Sequence, residues 1–357
     1  KRDWPAFLSQ VYKSRDNAAT VQSMIDGAGY TLLKSSAAGS FYKAFTCPGL
    51  SLYYFAYKSK LRAEHVTEVQ KTLNNTKGYA TTETGWQCLM RDDGHMDPIY
   101  SITEKNSENF SWMSRMAGVL FSHVFNHSSK AFFTGFMDNL VRGIFCTGRV
   151  EWDSNNYFGY CFQPLLVLYE YAPTAKIRRQ AQAMLDWMMV TTAVHYLDGA
   201  LVGPDIRAKS NDYLPFSGSF WPYGYAYFGA AASSITESAA KANMDVNLAG
   251  WLPHSSYRPP QIAIDIAQRK YTTPVEMHNA KPFYRLDWDN YADWRGTTDR
   301  SRRFEFETMY LESNFTLGSI ATHVPDGRKA TSGGIDCFSE QRDWMLGVKG
   351  TNGPLKV

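Results

Sequence analysis

Side chains that can bind sugars and transfer protons collect where a long apolar run begins. The run covers residues 151–171, and its first turns carry seven polar or phenolic side chains: Glu151, Asp153, Ser154, Asn155, Asn156, Tyr157 and Tyr160. A short side-chain oxygen at Ser154 or Asn155 would satisfy an unpaired amide of a first helical turn, so a helix is predicted to begin there. Amides and phenols at one end of a buried apolar helix are typical of a deep carbohydrate cleft.

Three histidines are candidates for acid–base chemistry. His195 lies near the end of segment 175–198, whose polar residues fall on one side and apolar residues on the other at helical spacing. A histidine at a helix C-terminus is also favoured by the helix dipole, so a structural and a chemical role are both open. His254 is the second candidate, with Tyr257 and Arg258 beside it, and His95 is the third.

Arginines in or beside polar loops could bind an anionic ligand. They are Arg207, Arg258 and Arg285, and each taken alone suits a solvated surface charge. Three of them near one cleft would suit a polyanion, because a guanidinium pairs bidentately with a carboxylate. Tyr284 and Tyr291 flank Arg285, and either could serve as an acid or base or simply pack.

The elements that must position these residues repeat along the chain. A buried apolar helix, a short turn, an amphipathic helix and a long polar loop recur four or five times, with segments 151–171 and 175–198 as the clearest αα-hairpin. The pattern predicts an all-α-dominated chain, 1–357, folded as a single (α/α) toroid. A little strand is expected near the C-terminus, where residues 303–311 alternate between apolar and polar types.

Long polar loops are expected to converge on one face of this ring. They cover residues 77–106, 147–156, 197–217 and 271–303, and each leads from an outer helix to the next inner helix. Such loops lie at the N-terminal ends of the inner helices. The sequence therefore predicts the functional face there.

Composition excludes several classes of protein. The net charge of +3 gives no indication of a nucleic-acid partner. No window reaches the roughly eighteen apolar residues of a membrane-spanning helix. Five widely spaced cysteines exclude a CxxC metal site. The chain begins at Lys1 without a signal peptide, and we expect a processed protein that is secreted or periplasmic.

Four segments resemble the (α/α)-toroid polysaccharide lyases. They are W-D-S-N-N-Y at 152–157, H-Y-L-D-G at 195–199, G-P-D-I-R at 203–207, and E-T-M-Y with N-F-T-L-G-S within 307–319. The similarity points to polysaccharide lyase family 38, which acts on alginate or glucuronan, and it covers about residues 110–320.

The resemblance implies β-elimination at a 1,4-linked uronate. A base removes the C5 proton while another group neutralises the carboxylate, and O4 leaves with a proton, which produces an unsaturated uronate. It implies Asn156 as the neutralising group and His195 as the base, with His254 as its rival. Tyr291 and Arg285 are the further catalytic residues. Substrate-binding roles are implied for Tyr157, Tyr160, Arg207, His254, Tyr257, Arg258 and Tyr284. No metal or cofactor is implied, and the partner is an anionic polysaccharide.

Two other functions stay open. A glycoside hydrolase needs paired carboxylates, and the candidates are Glu151, Asp153, Asp205, Asp212, Asp287 and Asp289. A non-catalytic glycan-binding protein would bind oligouronates without turnover. The grouping of Asn, His, Tyr and Arg argues against both, because a hydrolase needs no histidine and a binding protein needs no base.

Overall fold

The structure is a computed structural model, and it describes residues 3–37, 43–74, 86, 108–149, 151–205, 216, 218–244, 249–282, 304–321 and 344–349. Helices dominate these residues: α1 (Asp3–Lys13), α2 (Ala18–Met24), α3 (Tyr30–Ala37), α4 (Cys47–Ala56), α5 (Ala63–Asn74), α6 (Glu108–Val124), α7 (Lys130–Thr147), α8 (Phe158–Tyr171), α9 (Ala175–His195), α10 (Trp221–Phe228), α11 (Glu237–Asn243) and α12 (Gln261–Ala267). The strands are β1 (Tyr196–Leu197), β2 (Ala200–Leu201), β3 (Val275–Pro282), β4 (Phe304–Leu311), β5 (Phe315–Ala321) and β6 (Trp344–Val348). The prediction of a helix-dominated chain with a little strand near the C-terminus is confirmed. None of the described helices has the length and apolar character needed to cross a membrane.

Helix α8 is buried at the centre of the helical part, as its apolar sequence predicts. Its side chains from Phe158 to Leu168 are buried, apart from the half-exposed Tyr160. The helix packs against α9, α6 and α4. The ring of Phe162 lies 5.0 Å from that of Tyr223 on α10, so aromatic packing ties a later helix to the same core.

The start of α8 differs from the prediction, and a distant serine explains the difference. The helix begins at Phe158, not at Ser154 or Asn155. Ser219 Oγ accepts a hydrogen bond of 2.7 Å from the amide of Gly159 and donates one of 2.9 Å to the Asn155 carbonyl. The amide of the first turn is thus satisfied from outside the segment, and no local cap is needed.

A tight hairpin follows α9 and turns the chain back towards His195. Strands β1 and β2 are antiparallel, and Asp198 and Gly199 between them both have positive φ, 51° and 91°. Asp-Gly at these two positions is the preferred sequence of a type I′ turn. The amide of Val202 donates to the His195 carbonyl at 2.7 Å, so the next residues lie against the end of α9.

The C-terminal sheet is antiparallel, with strands in the order β3-β4-β5-β6. The alternation of residues 303–311 is confirmed as strand β4. The prediction of a polar loop over 271–303 is wrong for residues 275–282, which form β3. Exposed polar side chains such as Glu276 and His278 are usual on an edge strand. Because polar residues are also typical of loops, the sequence of β3 indicated a loop. Strand β6 also lies near the C-terminus, where a little strand was expected, although the sequence after residue 325 shows little pattern.

One face of the sheet contacts the helical part. Met309 of β4 packs with Val194 of α9 in a small buried cluster. A Cβ added to Gly318 would lie 2.6 Å from Gly203 Cα, so β5 approaches the chain after the hairpin closely. Asn279 pairs with Glu307 in the register of β3 and β4. Lys281 and Glu307 therefore share this face as diagonal neighbours, which long side chains can bridge.

A glycine in α6 gives a test of the helix packing. A Cβ at Gly118 would lie 2.1 Å from Phe133 Cε1, and the Phe133 ring is fully buried. We expect Gly118→Ala to lower the free energy of unfolding by about 1–3 kcal/mol through overpacking. Gly27→Ala is the control, because a Cβ there meets nothing within 4 Å. Urea unfolding of the two variants checks this, and equal stability of both would contradict the close approach of α6 and α7.

Candidate functional site

Four charged side chains meet in the interior where the helices contact the sheet: Asp153, His195, Lys281 and Glu307. His195 Nε2 lies 3.4 Å from Asp153 Oδ2 and 3.3 Å from Glu307 Oε1. Lys281 Nζ lies 3.1 Å from Glu307 Oε2 and also pairs with Asp153 Oδ2. We call these four residues the charged cluster. It joins the loop before α8, the end of α9, and strands β3 and β4.

The surroundings of His195 fix its protonation state. Its Nδ1 lies 3.1 Å from the Val202 carbonyl, which can only accept a hydrogen bond. Its Nε2 faces two carboxylates, which also accept. Burial alone would lower the pKa of His195, but Asp153 and Glu307 outweigh it, and the pKa is raised. These surroundings favour the imidazolium form of the ring, in which both nitrogens carry a proton.

The other members of the charged cluster complete a neutral set. Burial alone would raise the pKa of Glu307, but His195 and Lys281 lower it to about 2. Burial alone would lower the pKa of Lys281, yet Asp153 and Glu307 raise it. With Asp153 as the second carboxylate, the cluster contains two positive and two negative charges. Losing one member would leave a buried charge uncompensated, which is costly.

This arrangement predicts how stability depends on pH. Because the folded-state pKa of His195 is raised, its contribution is complete below the unfolded value of about 6.5 and is lost as pH rises through the folded value. Relative to His195→Gln, the wild type should lose up to about 1.4 kcal/mol per pH unit in that window. Urea unfolding across the neutral and mildly alkaline range measures the difference. Parallel profiles for the two proteins would exclude a raised pKa.

A cleft of about 350 Å³ opens beside the charged cluster. It lies between the end of α7, the loop before α8, the second half of α9, and β3. Asp153 and Lys281 belong to its wall, and three aromatic side chains also line it: Phe145, Trp152 and Trp187. The Lys281 ammonium lies 5.9 Å from the centre of the Trp152 ring. Its volume and its mixture of aromatic and polar groups are those of a small-ligand site.

A second group of buried charged residues lies next to the cleft. Arg149, which lines the cleft, places Nη2 3.3 Å from Glu108 Oε2 and 3.3 Å from Cys161 Sγ. Glu151 accepts hydrogen bonds from Asn109, at 3.1 Å from the amide and 3.0 Å from Nδ2. Burial raises the pKa of the Cys161 thiol well above its usual value, so Cys161 is an unreactive core thiol.

Two groups of described residues have the spacing of metal ligands. They are Asp153, His195 and Glu307, and Glu108, Glu151 and Cys161, with ligand atoms within 4.8 Å of one another. A basic side chain already contacts acids in each group, Lys281 in the first and Arg149 in the second. These cations supply the positive charge that a bound metal would bring.

Of the residues predicted around the start of α8, Asp153 belongs to the charged cluster, whereas Asn156, Tyr157 and Tyr160 do not line the cleft. Asn156 and Tyr157 are half-exposed in the turn before the helix. Tyr160 packs edge-on against Phe45 with ring centres 5.0 Å apart, and it lies 6.3 Å from the Tyr157 ring. Neighbouring Asp153 and Asn155 line a small cavity with His195. The structure thus brings the predicted segment and His195 to the same end of α8.

His254, Tyr257 and Arg258 lie at the other end of α8. Glu170, in the last turn of that helix, accepts from Ser256 Oγ at 2.7 Å. Because a helix rises about 1.5 Å per residue, this end lies roughly 20 Å from the start of α8. The buried Tyr257 donates from its hydroxyl to Asp186 at 2.9 Å. Burial lowers the pKa of His254 to about 4. The structure does not bring these three residues together with His195.

Several predicted residues lie outside the described part of the chain. They are Arg207, Tyr284, Arg285 and Tyr291, together with His95, Asp212, Asp287 and Asp289.

No role in the site was predicted for Lys281, Arg149, Trp187 or Glu307. Alternation of Val275 and Met277 with polar residues was the available signal for the strand that carries Lys281. Arg149 falls within the loop 147–156 that was predicted to lie on the functional face.

Comparison of the chain with protein-family models, with curated proteins and with solved structures finds no match.

Proposed function

We propose that the protein is a polysaccharide lyase that cleaves a 1,4-linked uronate polymer, alginate or glucuronan, by β-elimination in this cleft. The helices are proposed to form an (α/α) toroid, with the cleft on the face of the outer-to-inner loops. A secreted or periplasmic location suits such a polymeric substrate. Residues from loop 147–156 line the cleft, which supports the position proposed for the site.

The observation that carries the proposal is Lys281, a charged residue that lines the cleft. An ammonium has three donors, and two carboxylates contact this one. The third donor can bond to the carboxylate of a uronate in the cleft. The raised pKa keeps Lys281 charged, so it can stabilise the negative charge that develops as the C5 proton leaves. Asn156, on the neighbouring turn, is the proposed second group for that carboxylate.

We propose that His195 has a positioning role rather than the role of the base. The raised pKa favours the imidazolium, which has no free lone pair to accept the C5 proton, and His195 is only 2% exposed. It instead holds Asp153 and Glu307, which in turn hold Lys281. We propose that the base is Tyr284 or Tyr291, which follow Lys281 closely in the sequence.

Hydrolysis by the nearest carboxylate pair is disfavoured. Oxygens of Asp153 and Glu307 lie within 4.8 Å of each other, close to the separation of a retaining glycosidase pair. A hydrolase, however, needs a carboxylic acid with a raised pKa as proton donor. The pKa of Glu307 is lowered to about 2, and its side chain is buried behind Lys281.

The test is ultraviolet absorbance of the unsaturated uronate during incubation with alginate or glucuronan. Carboxyl-reduced forms of the same polymers are the matched control, because elimination requires the carboxylate to acidify C5. We expect absorbance to rise with a polyuronate and to stay flat with its reduced form. Cleavage of both forms, or no rise with any polyuronate, would reject the proposal.

A further inference from the structure

We propose that Phe145 and Trp187 form a stacking subsite at the mouth of the cleft, which binds the faces of neighbouring sugar units in the same polymer. This subsite rests on the proposed function for its substrate class and for the uronate carboxylate at Lys281. Phe145 lies in the last turns of α7 and Trp187 on α9, and both line the cleft.

The exposed side chain of Phe145 is the observation that indicates a ligand. Its side chain is 57% exposed, whereas Trp152, deeper in the same cleft, is 2% exposed. The cleft thus presents aromatic surface at two depths, one buried beside Lys281 and one open to solvent. Trp187 also lines the cleft, and its exposure is intermediate between those of Phe145 and Trp152.

The surrounding groups select a carbohydrate rather than a purely apolar ligand. Thr191 and Asn279 also line the cleft, and their side chains can bond to hydroxyl groups at the edge of a sugar ring. A pyranose has such a polar edge together with faces of C–H groups that pack on aromatic rings. Lys281 holds a carboxylate inside the cleft, so Phe145 and Trp187 would contact the next units of the chain.

This geometry predicts a dependence on chain length and an independence of charge. A single uronate reaches Lys281 without the rings, whereas a longer oligomer occupies both places. A carboxyl-reduced oligomer can use the rings but has no group for Lys281. The two contributions are therefore separable by the choice of ligand.

Calorimetric titration of uronate oligomers, of their carboxyl-reduced forms and of the monomer tests the subsite. For Phe145→Ala we expect about 10-fold weaker binding of both oligomers and unchanged binding of the monomer. Phe306→Ala is the matched control, because Phe306 is also 57% exposed but lies on β4 and not in the cleft. Equal binding by both variants, or no binding of oligomers by the wild type, would overturn the subsite.

Tryptophan fluorescence is a second measurement of oligomer binding, and it does not require truncation of a packed side chain to alanine. Oligomer binding should change the wild-type emission, and Trp187→Phe should remove most of that change while affinity is kept. An unchanged response in Trp187→Phe would exclude contact with Trp187. Because neither measurement requires turnover, the lyase proposal can fail while the subsite stands, and lyase activity can persist where the subsite is disproved.

Discussion

Lys281→Met should lower the free energy of unfolding by about 3–5 kcal/mol, because it leaves a buried negative charge uncompensated. Lys281 is 5% exposed and contacts both carboxylates of the charged cluster. Without it, Asp153 and Glu307 share the single charge of His195. The same substitution should reduce lyase activity by about 10²–10³-fold, because a donor to the developing charge is lost. Urea unfolding and initial rates measure the two effects separately.

Restoring the charge balance separates stability from activity. In the double variant Lys281→Met with Glu307→Gln, the cluster is again neutral, and most of the lost stability should return. Activity should not return, because the ammonium is still absent. Lys241→Met is the surface control, since Lys241 pairs with Glu237 while both side chains stay largely exposed. If the double variant regained full activity, Lys281 would have no part in the chemistry.

Arg149→Leu should be similarly destabilising, by about 3–5 kcal/mol, because it removes the cation that contacts Glu108. Arg149 is 4% exposed and links α6, α8 and the loop that lines the cleft. The loop also loses its anchor, so substrate binding should weaken in the fraction that folds. Thermal and urea unfolding measure the change.

Arg62→Leu is the matched control for Arg149. Arg62 pairs with Asp26 and Glu64, but its side chain is 53% exposed, and such surface pairs contribute at most about 1 kcal/mol. The buried and exposed arginines therefore predict clearly different losses. Similar losses for the two variants would mean that Arg149 is more solvated than its burial indicates.

Local periodicity predicted the helices, because the apolar faces that it describes are the faces that pack. The buried helix α8 lies within segment 151–171, and its amphipathic partner α9 lies within segment 175–198. The start of α8 could not be predicted, because its capping group comes from Ser219, 60 residues from Gly159. Strand β3 was not predicted, because the exposed polar residues of an edge strand resemble those of a loop.

The charged cluster could be predicted only in part, because its members are distant in sequence. His195 and the loop containing Asp153 were recognisable from their residue types and from their positions at helix ends. Lys281 lies 128 residues from Asp153, and no local pattern connects the two. The protonation of His195 depends on Glu307 as well, so its chemistry follows from tertiary contacts and not from its place at the end of α9.

Product masses after incubation with a polyuronate distinguish elimination from hydrolysis. Elimination breaks the O4 bond without adding water, so each new non-reducing end should be lighter by one water than the end that hydrolysis would produce. The wild type should release these unsaturated fragments, and Lys281→Met should release about 10²–10³-fold less of them. Fragments with saturated ends only, or an intact polymer, would contradict the lyase proposal.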